Sequence, residues 1–113
     1  LIAQMLDKLI SNAVDFAEKD SIIKVHVSYE KHFARIDVIN RGNNLPDVMQ
    51  ERLFESMVSL RPQTGNQKEP HLGLGLYLVR LIAGYHGGQV RASNNPEGSG
   101  AMFTVFLPLT WEL

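Results

Sequence analysis

The chain reads as an α/β (α+β) two-layer sandwich, with three helices on one face of a mixed, mostly antiparallel sheet. Three observations predict it. Apolar residues recur at helical spacing from Leu1 to Ala17 and again after Gly73. Short runs that alternate apolar and polar residues come in two pairs, each joined by turn-forming residues. The resulting order is helix, two strands, helix, polar segment, helix, two strands, and such a mixture buries its apolar faces best as helices laid on a sheet.

Each element has its own signal. Leu1, Ile2, Met5, Leu6, Leu9, Ile10, Ala13, Val14 and Ala17 form a helical stripe about two residues wide. Lys8, Asn12 and Asp15 share a neighbouring face. Asp20-Ser21 breaks the helix. Ile23, Val25, Val27 and Tyr29 alternate with polar residues as a half-buried strand, and Ala34, Ile36 and Val38 repeat the pattern after a turn at Glu30-Lys31-His32. The hairpin runs into Asn40-Arg41-Gly42-Asn43-Asn44, residues that tolerate left-handed backbone. Pro46 and Asp47 suit a first helical turn, and Val48 to Met57 is expected to bury Leu53, Phe54 and Met57. Gln89 to Ser93 and Ala101 to Leu107 are strands joined by a Pro- and Gly-rich turn, and Pro108 stops the second.

At 113 residues, 44% apolar and 20% charged, the chain suits one globular domain spanning 1–113. A net charge of −1 and a pI of about 6.5 give no basic field for nucleic acid. The absence of cysteine excludes disulfides, thiolate metal sites and a cysteine nucleophile. Arg80 interrupts the longest apolar run, so no membrane contact is expected of the domain itself. The chain opens in mid-pattern without Met, which suggests a fragment of a longer protein.

The most informative stretch is Gly73 to Gly88. Gly73 and Gly75 stand where Leu76, Val79, Ile82 and Ala83 begin a helical period, and Gly87-Gly88 ends it. A helix opening on glycines presents unpaired N–H groups and a positive dipole end with no side chains in the way, which makes a seat for phosphate. The polar segment from about 59 to 72 before it has the length of a functional lid. Taken alone, such glycines more often serve merely a tight turn and close packing.

Four separated pieces then resemble one family. Leu6 to Phe16 looks like its N box, Val38 to Pro46 its G1 box, and Leu53-Phe54-Glu55 its F box. Gly73-Leu74-Gly75-Leu76, His86-Gly87-Gly88 and the hairpin from Gly98 to Pro108 resemble its G2 box and closing strands. The family is the catalytic, ATP-binding domain of bacterial sensor histidine kinases, within the GHKL group (Bergerat fold) that includes DNA gyrase B, Hsp90 and MutL. The resemblance covers nearly the whole chain.

It implies Mg-ATP as cofactor, with Asn12 as the Mg²⁺ ligand through a neutral amide oxygen. Asn40 stands where the family carries an Asp that accepts from the adenine amino group; its amide can accept that bond and can also donate. Gly42 would let the purine lie against backbone, and Asn44 replaces the second glycine of the box. Phe16, Leu45, Thr104 and the stretch Gly73, Leu74, Gly75 and Leu76 are further nucleotide contacts that the resemblance implies. Arg61 and Lys68 are the lid cations available to the β- and γ-phosphates, Arg61 preferred for its guanidinium fork. The catalytic roles fall to Asn12, Arg61 and Lys8.

Several residues depart from the pattern. Lys8 stands where the family has Asn and its hydrolytic relatives a Glu base; a protonated lysine cannot activate water. It reaches either phosphate or solvent. Asp15 would repel phosphate unless it meets Mg²⁺ through water, pairs with Lys8 or Lys19, or points away. His71-Leu72 replaces a glycine and a small residue and stiffens the lid hinge. His26, His32, His71 and His86 show neither metal spacing nor the setting of a phospho-acceptor.

The implied function is transfer of the γ-phosphoryl of Mg-ATP to a histidine on an upstream dimerisation domain. A response regulator would be the next partner, a homodimer the full-length state, and a cytoplasmic position in an inner-membrane-anchored sensor the setting. An edge strand upstream of Leu1 would then be missing from this stretch. Open alternatives are a degenerate nucleotide-binding module without transfer, a hydrolytic ATPase, and a serine kinase of the anti-sigma type.

Overall fold

The computed structural model describes residues 1–45 and 71–109, with side chains from Leu76 onward in the second of these segments. Its elements are α1 (Ile2–Phe16), β1 (Lys24–Glu30), β2 (Phe33–Asn40), α2 (His71–Tyr85), β3 (Gln89–Asn94) and β4 (Ala101–Pro108). The strands form one sheet in the order β1-β2-β4-β3. Every pairing among the described strands is antiparallel, in keeping with the mostly antiparallel sheet expected. The expected helix Val48 to Met57 and most of the lid lie outside the described residues.

Alternation along the strands sorts the sheet into two faces. Ile36 and Val38 of β2 and Phe103 and Val105 of β4 pair across the strands and point to the helical side. Met5, Leu9 and Ala13 of α1 meet Leu76, Val79, Ile82 and Ala83 of α2 over that surface, closing one continuous core. Phe16, at the end of α1, stacks on Phe103 with ring centroids 6.2 Å apart. The helical spacing read from Leu76, Val79, Ile82 and Ala83 is therefore the buried face of α2.

Two apolar patterns are less buried than their periodicity suggests. Only one side of the α1 stripe is used: Ile10 and Val14 stay exposed. Strand β1 was expected to be half-buried, yet Val25, Val27 and Tyr29 are 50–72% exposed. They stand in register with Val38, Ile36 and Ala34 on the helical side, but β1 is the sheet edge and the described helices pack over the strands beyond it.

The helix ends are set by local chemistry. α1 stops at Phe16, ahead of Asp20, whose φ of 62° is tolerable for Asp. The Glu18 amide donates to the Arg41 carbonyl (2.7 Å), and Ala17 bridges Gly42, so the exit from α1 is tied to the turn after β2. α2 ends in a Schellman motif: Gly88 N–H donates to the Ala83 carbonyl (2.7 Å) and Gly87 N–H to that of Gly84 (2.9 Å). The motif requires the left-handed conformation Gly87 adopts, with φ of 78°.

Candidate functional site

Among the described residues, two side-chain amides in the interior have no partner. Asn12 of α1 is 3% exposed and Asn40, the final residue of β2, is 1% exposed. The Oδ1 and Nδ2 atoms of both lack any hydrogen bond. Buried polar groups are nearly always paired, and each one left orphaned costs about 1–3 kcal/mol. Asn12 lies one helical turn before Phe16, and Asn40 lies two residues before Gly42, which Ala17 bridges.

Gly42 stands beside Asn40. A Cβ at Gly42 would lie 2.6 Å from the Phe16 carbonyl oxygen and 3.6 Å from Asn40 Nδ2. No side chain fits between the end of α1 and the Asn40 amide. On the outer side of this contact Phe16, Glu18, Gly42, Asn44 and Ser99 line an open hollow of about 530 Å³. Phe16, Asn40, Gly42 and Asn44 thus gather where α1 meets the turn after β2, and Asn12 stands one helical turn back along α1.

This turn is held from the opposite side by the side chains of Asn44, Asn94 and Asn95. Leu45 N–H donates to Asn94 Oδ1 (2.7 Å), Gly100 N–H donates to Asn44 Oδ1 (3.0 Å), and Asn95 Nδ2 donates to the Asn40 carbonyl (3.4 Å). Asn44 was expected to stand in for glycine through its tolerance of positive φ. Its backbone needs none: Asp20 is the one non-glycine residue with positive φ among the described residues. The Asn44 side chain serves instead to lock two turns together. Leu45 is buried with the core, and its amide completes the same seam.

Other predicted residues lie elsewhere. Lys8 and Asp15 are exposed on α1. Arg61 and Lys68 lie outside the described residues. α2 begins at His71, not at Gly73, so Gly73 and Leu74 belong to the first turn while Gly75 and Leu76 fall in the second. Amides without an intrahelical partner belong to the first four residues, which moves the potential anion seat back toward His71. Leu76 is fully buried, and its side chain is committed to the core.

Thr104 is not brought to the hollow. It neighbours Phe103 and Val105 on β4 and therefore points to the other face of the sheet, where its hydroxyl donates to Asp37 Oδ1 (2.6 Å). Asp37 is itself buried and also accepts from Arg35 Nε at 3.1 Å to each oxygen. Strand alternation alone gave no sign that this carboxylate is covered. Among the described residues no group of three His, Asp or Glu side chains is placed to hold a metal.

Residues 1–110 match the family described as histidine kinase-, DNA gyrase B-, and HSP90-like ATPase. The chain belongs to that family. Within it, the chain is 34% identical over 110 residues to the sensor protein KdpD of Escherichia coli K12, covering 96% of this chain and 12% of KdpD. It is 34% identical over 104 residues to the adaptive-response sensory kinase SasA of Prochlorococcus marinus, covering 90% of this chain and 27% of SasA. The chain thus spans a minor part of the curated relatives it matches. Among solved structures, the catalytic domain of histidine kinase ThkA superposes with a TM-score of 0.76 at 26% identity, over 96% of this chain and 67% of that one. The mycobacterial sensor histidine kinase MprB gives the same TM-score at 20% identity, over 93% and 68%, which speaks to fold alone. Fold and sequence are those of the ATP-binding catalytic domain of sensor kinases.

The residues at the junction fit a nucleotide. Asn40 holds a buried donor and acceptor of the kind a base edge pairs with, while Gly42 lets the chain pass close against the Phe16 carbonyl at the rim of the hollow. Asn12 Oδ1 is a neutral, hard oxygen with no protein partner, the donor type that suits Mg²⁺ alongside phosphate and water.

Proposed function

We propose that this ATPase-family domain binds Mg-ATP at the α1–β2 junction and provides the kinase step of a two-component sensor, passing the γ-phosphoryl to a histidine on a separate dimerisation domain. The observation that supports this best is the pair of buried amides without partners among the described residues, Asn12 on α1 and Asn40 beside a glycine that admits no side chain. Bound Mg-ATP would supply the transferable phosphoryl group and a divalent charge to balance its oxygens.

The protein's part is binding and orientation. Asn12 would hold Mg²⁺ through Oδ1, and Asn40 would hold the base edge over Gly42. The first-turn amides of α2 and the lid cations, Arg61 ahead of Lys68, would face the phosphates. Lys8 speaks against a hydrolytic role for the N-box helix, because an ammonium is no base for water. A homodimer, a response regulator and a membrane anchor belong to the same proposal. Histidine kinase ThkA has been crystallised with its response regulator TrrA, and ShkA with AMPPNP, which supports the same partners here.

The test is calorimetric titration with Mg-ATP, followed by phosphotransfer onto a longer form of the protein that includes the acceptor helix. Saturable binding and a phosphohistidine product are expected. Binding without transfer would favour a degenerate nucleotide-binding module. Steady phosphate release from the isolated domain would favour a hydrolase.

A further inference from the structure

We propose that a second cavity, on the face of the sheet turned away from the helices, binds a small monocarboxylic acid with a compact apolar body. This site is separate from the hollow at the end of α1 and does not depend on the nucleotide reading.

Ile39 of β2 follows Val38, whose side chain is in the core, so strand alternation turns Ile39 to the outer face. Its cross-strand partner on β1 is Lys24. Glu97, in the turn between β3 and β4, reaches past β2 to Lys24, with Oε1 3.4 Å from Nζ. Beside that ion pair lies a cavity of about 140 Å³, with Ile22, Ile39, Lys24, Arg41, Asn95 and Glu97 around it. The wall that carries Glu97 is formed in advance. Asn95 Nδ2 donates to the carbonyls of Asn40 (3.4 Å) and Ser99 (3.3 Å), and Asn95 Oδ1 accepts from the Glu97 amide (2.9 Å).

One side of the cavity is hydrocarbon and the other is charged. Ile22 and Ile39 supply the first, and Ile22 is 76% exposed, apolar surface that a ligand would take out of water. An apolar void of about 150 Å³ holds a benzene ring, so the body is one six-membered ring or a branched chain of similar bulk. The charges sum to a single cation: Lys24 and Glu97 cancel, and Arg41 makes no side-chain hydrogen bond or ion pair among the described residues. A guanidinium fork matches a carboxylate with two parallel bonds. A dianion would exceed that charge and meet Glu97, and a cation would face Arg41. One carboxylate is the complement.

The experiment is titration of the 113-residue chain with sodium benzoate, followed by backbone amide chemical shifts. Saturable shifts at Ile22, Ile39 and Arg41 are expected, with a dissociation constant in the millimolar range for so small a ligand. Acetate has the charge without the ring, and benzyl alcohol the ring without the charge. Each should bind at least about tenfold more weakly than benzoate. Arg41→Gln should weaken benzoate about tenfold and leave benzyl alcohol unchanged, whereas Ile22→Ser should weaken both. Both positions are exposed, and thermal unfolding checks that the variants fold. Shifts that never saturate, or that fall on other basic residues, would overturn the site. Acetate bound as tightly as benzoate would overturn it too, as would undiminished benzoate binding by a folded Arg41→Gln. None of these outcomes bears on Mg-ATP.

Discussion

At the scale of single residues, the site is written in amides that stay unpaired. Asn12, a polar residue beside an apolar helical stripe, and Asn40, at the end of a strand, were picked out in the sequence by the family resemblance. Their burial follows from neighbours far along the chain and was not readable there. Since Asn12 makes no protein hydrogen bond, replacing it with alanine removes no native bond and relieves an orphaned amide. Asn12→Ala is therefore expected to change stability by less than about 1 kcal/mol in denaturant titration while abolishing phosphotransfer from Mg-ATP. A large loss of stability would mean that Asn12 is structural. Thr104 shows where such reading fails. Its position in the closing strand suggested a ligand contact, but strand alternation turns it to the opposite face, toward Asp37.

At the scale of elements, the turn after β2 and the turn between β3 and β4 act as one piece. Asn44, Asn94 and Asn95 stitch them together, and Gly100 presses against the Asn40 carbonyl where any Cβ would overlap it. Gly100 also holds φ at 125°, a region that side chains avoid. Gly100→Ala is expected to destabilise the domain by more than about 2 kcal/mol, a fall in Tm of roughly 8 °C or more for a chain of this size. It should also weaken ATP binding, because the strain falls on Asn40. A variant of unchanged Tm would show that the two turns are not coupled. The sequence announced both turns through their Asn and Gly content, but nothing local announced that they dock. Helix limits were readable to within a few residues; α2 starts at His71 because nothing in His71-Leu72 opposes helix, and the glycines sit inside it.

At the scale of the whole molecule, the layered fold was legible from two periodicities, one near 3.6 and one of 2. How the layers are shifted across one another was not. The described helices lie over β2, β4 and β3, and β1, the edge among the described strands, keeps Val25, Val27 and Tyr29 exposed. Val27→Lys is expected to leave stability within about 1 kcal/mol of the wild type and to reduce self-association at high concentration, read by sedimentation velocity. A strongly destabilised Val27→Lys would mean that the edge is covered in solution. The strand order also governs how the sheet is made. β4 lies between β2 and β3 yet is synthesised after both, so each waits for the neighbour that joins them. A nascent chain released before Ala101 has one hairpin, a stray ribbon and no floor beneath Phe16. Quality control at the ribosome would therefore meet this domain as an all-or-nothing product, finished only when its central plank slides in.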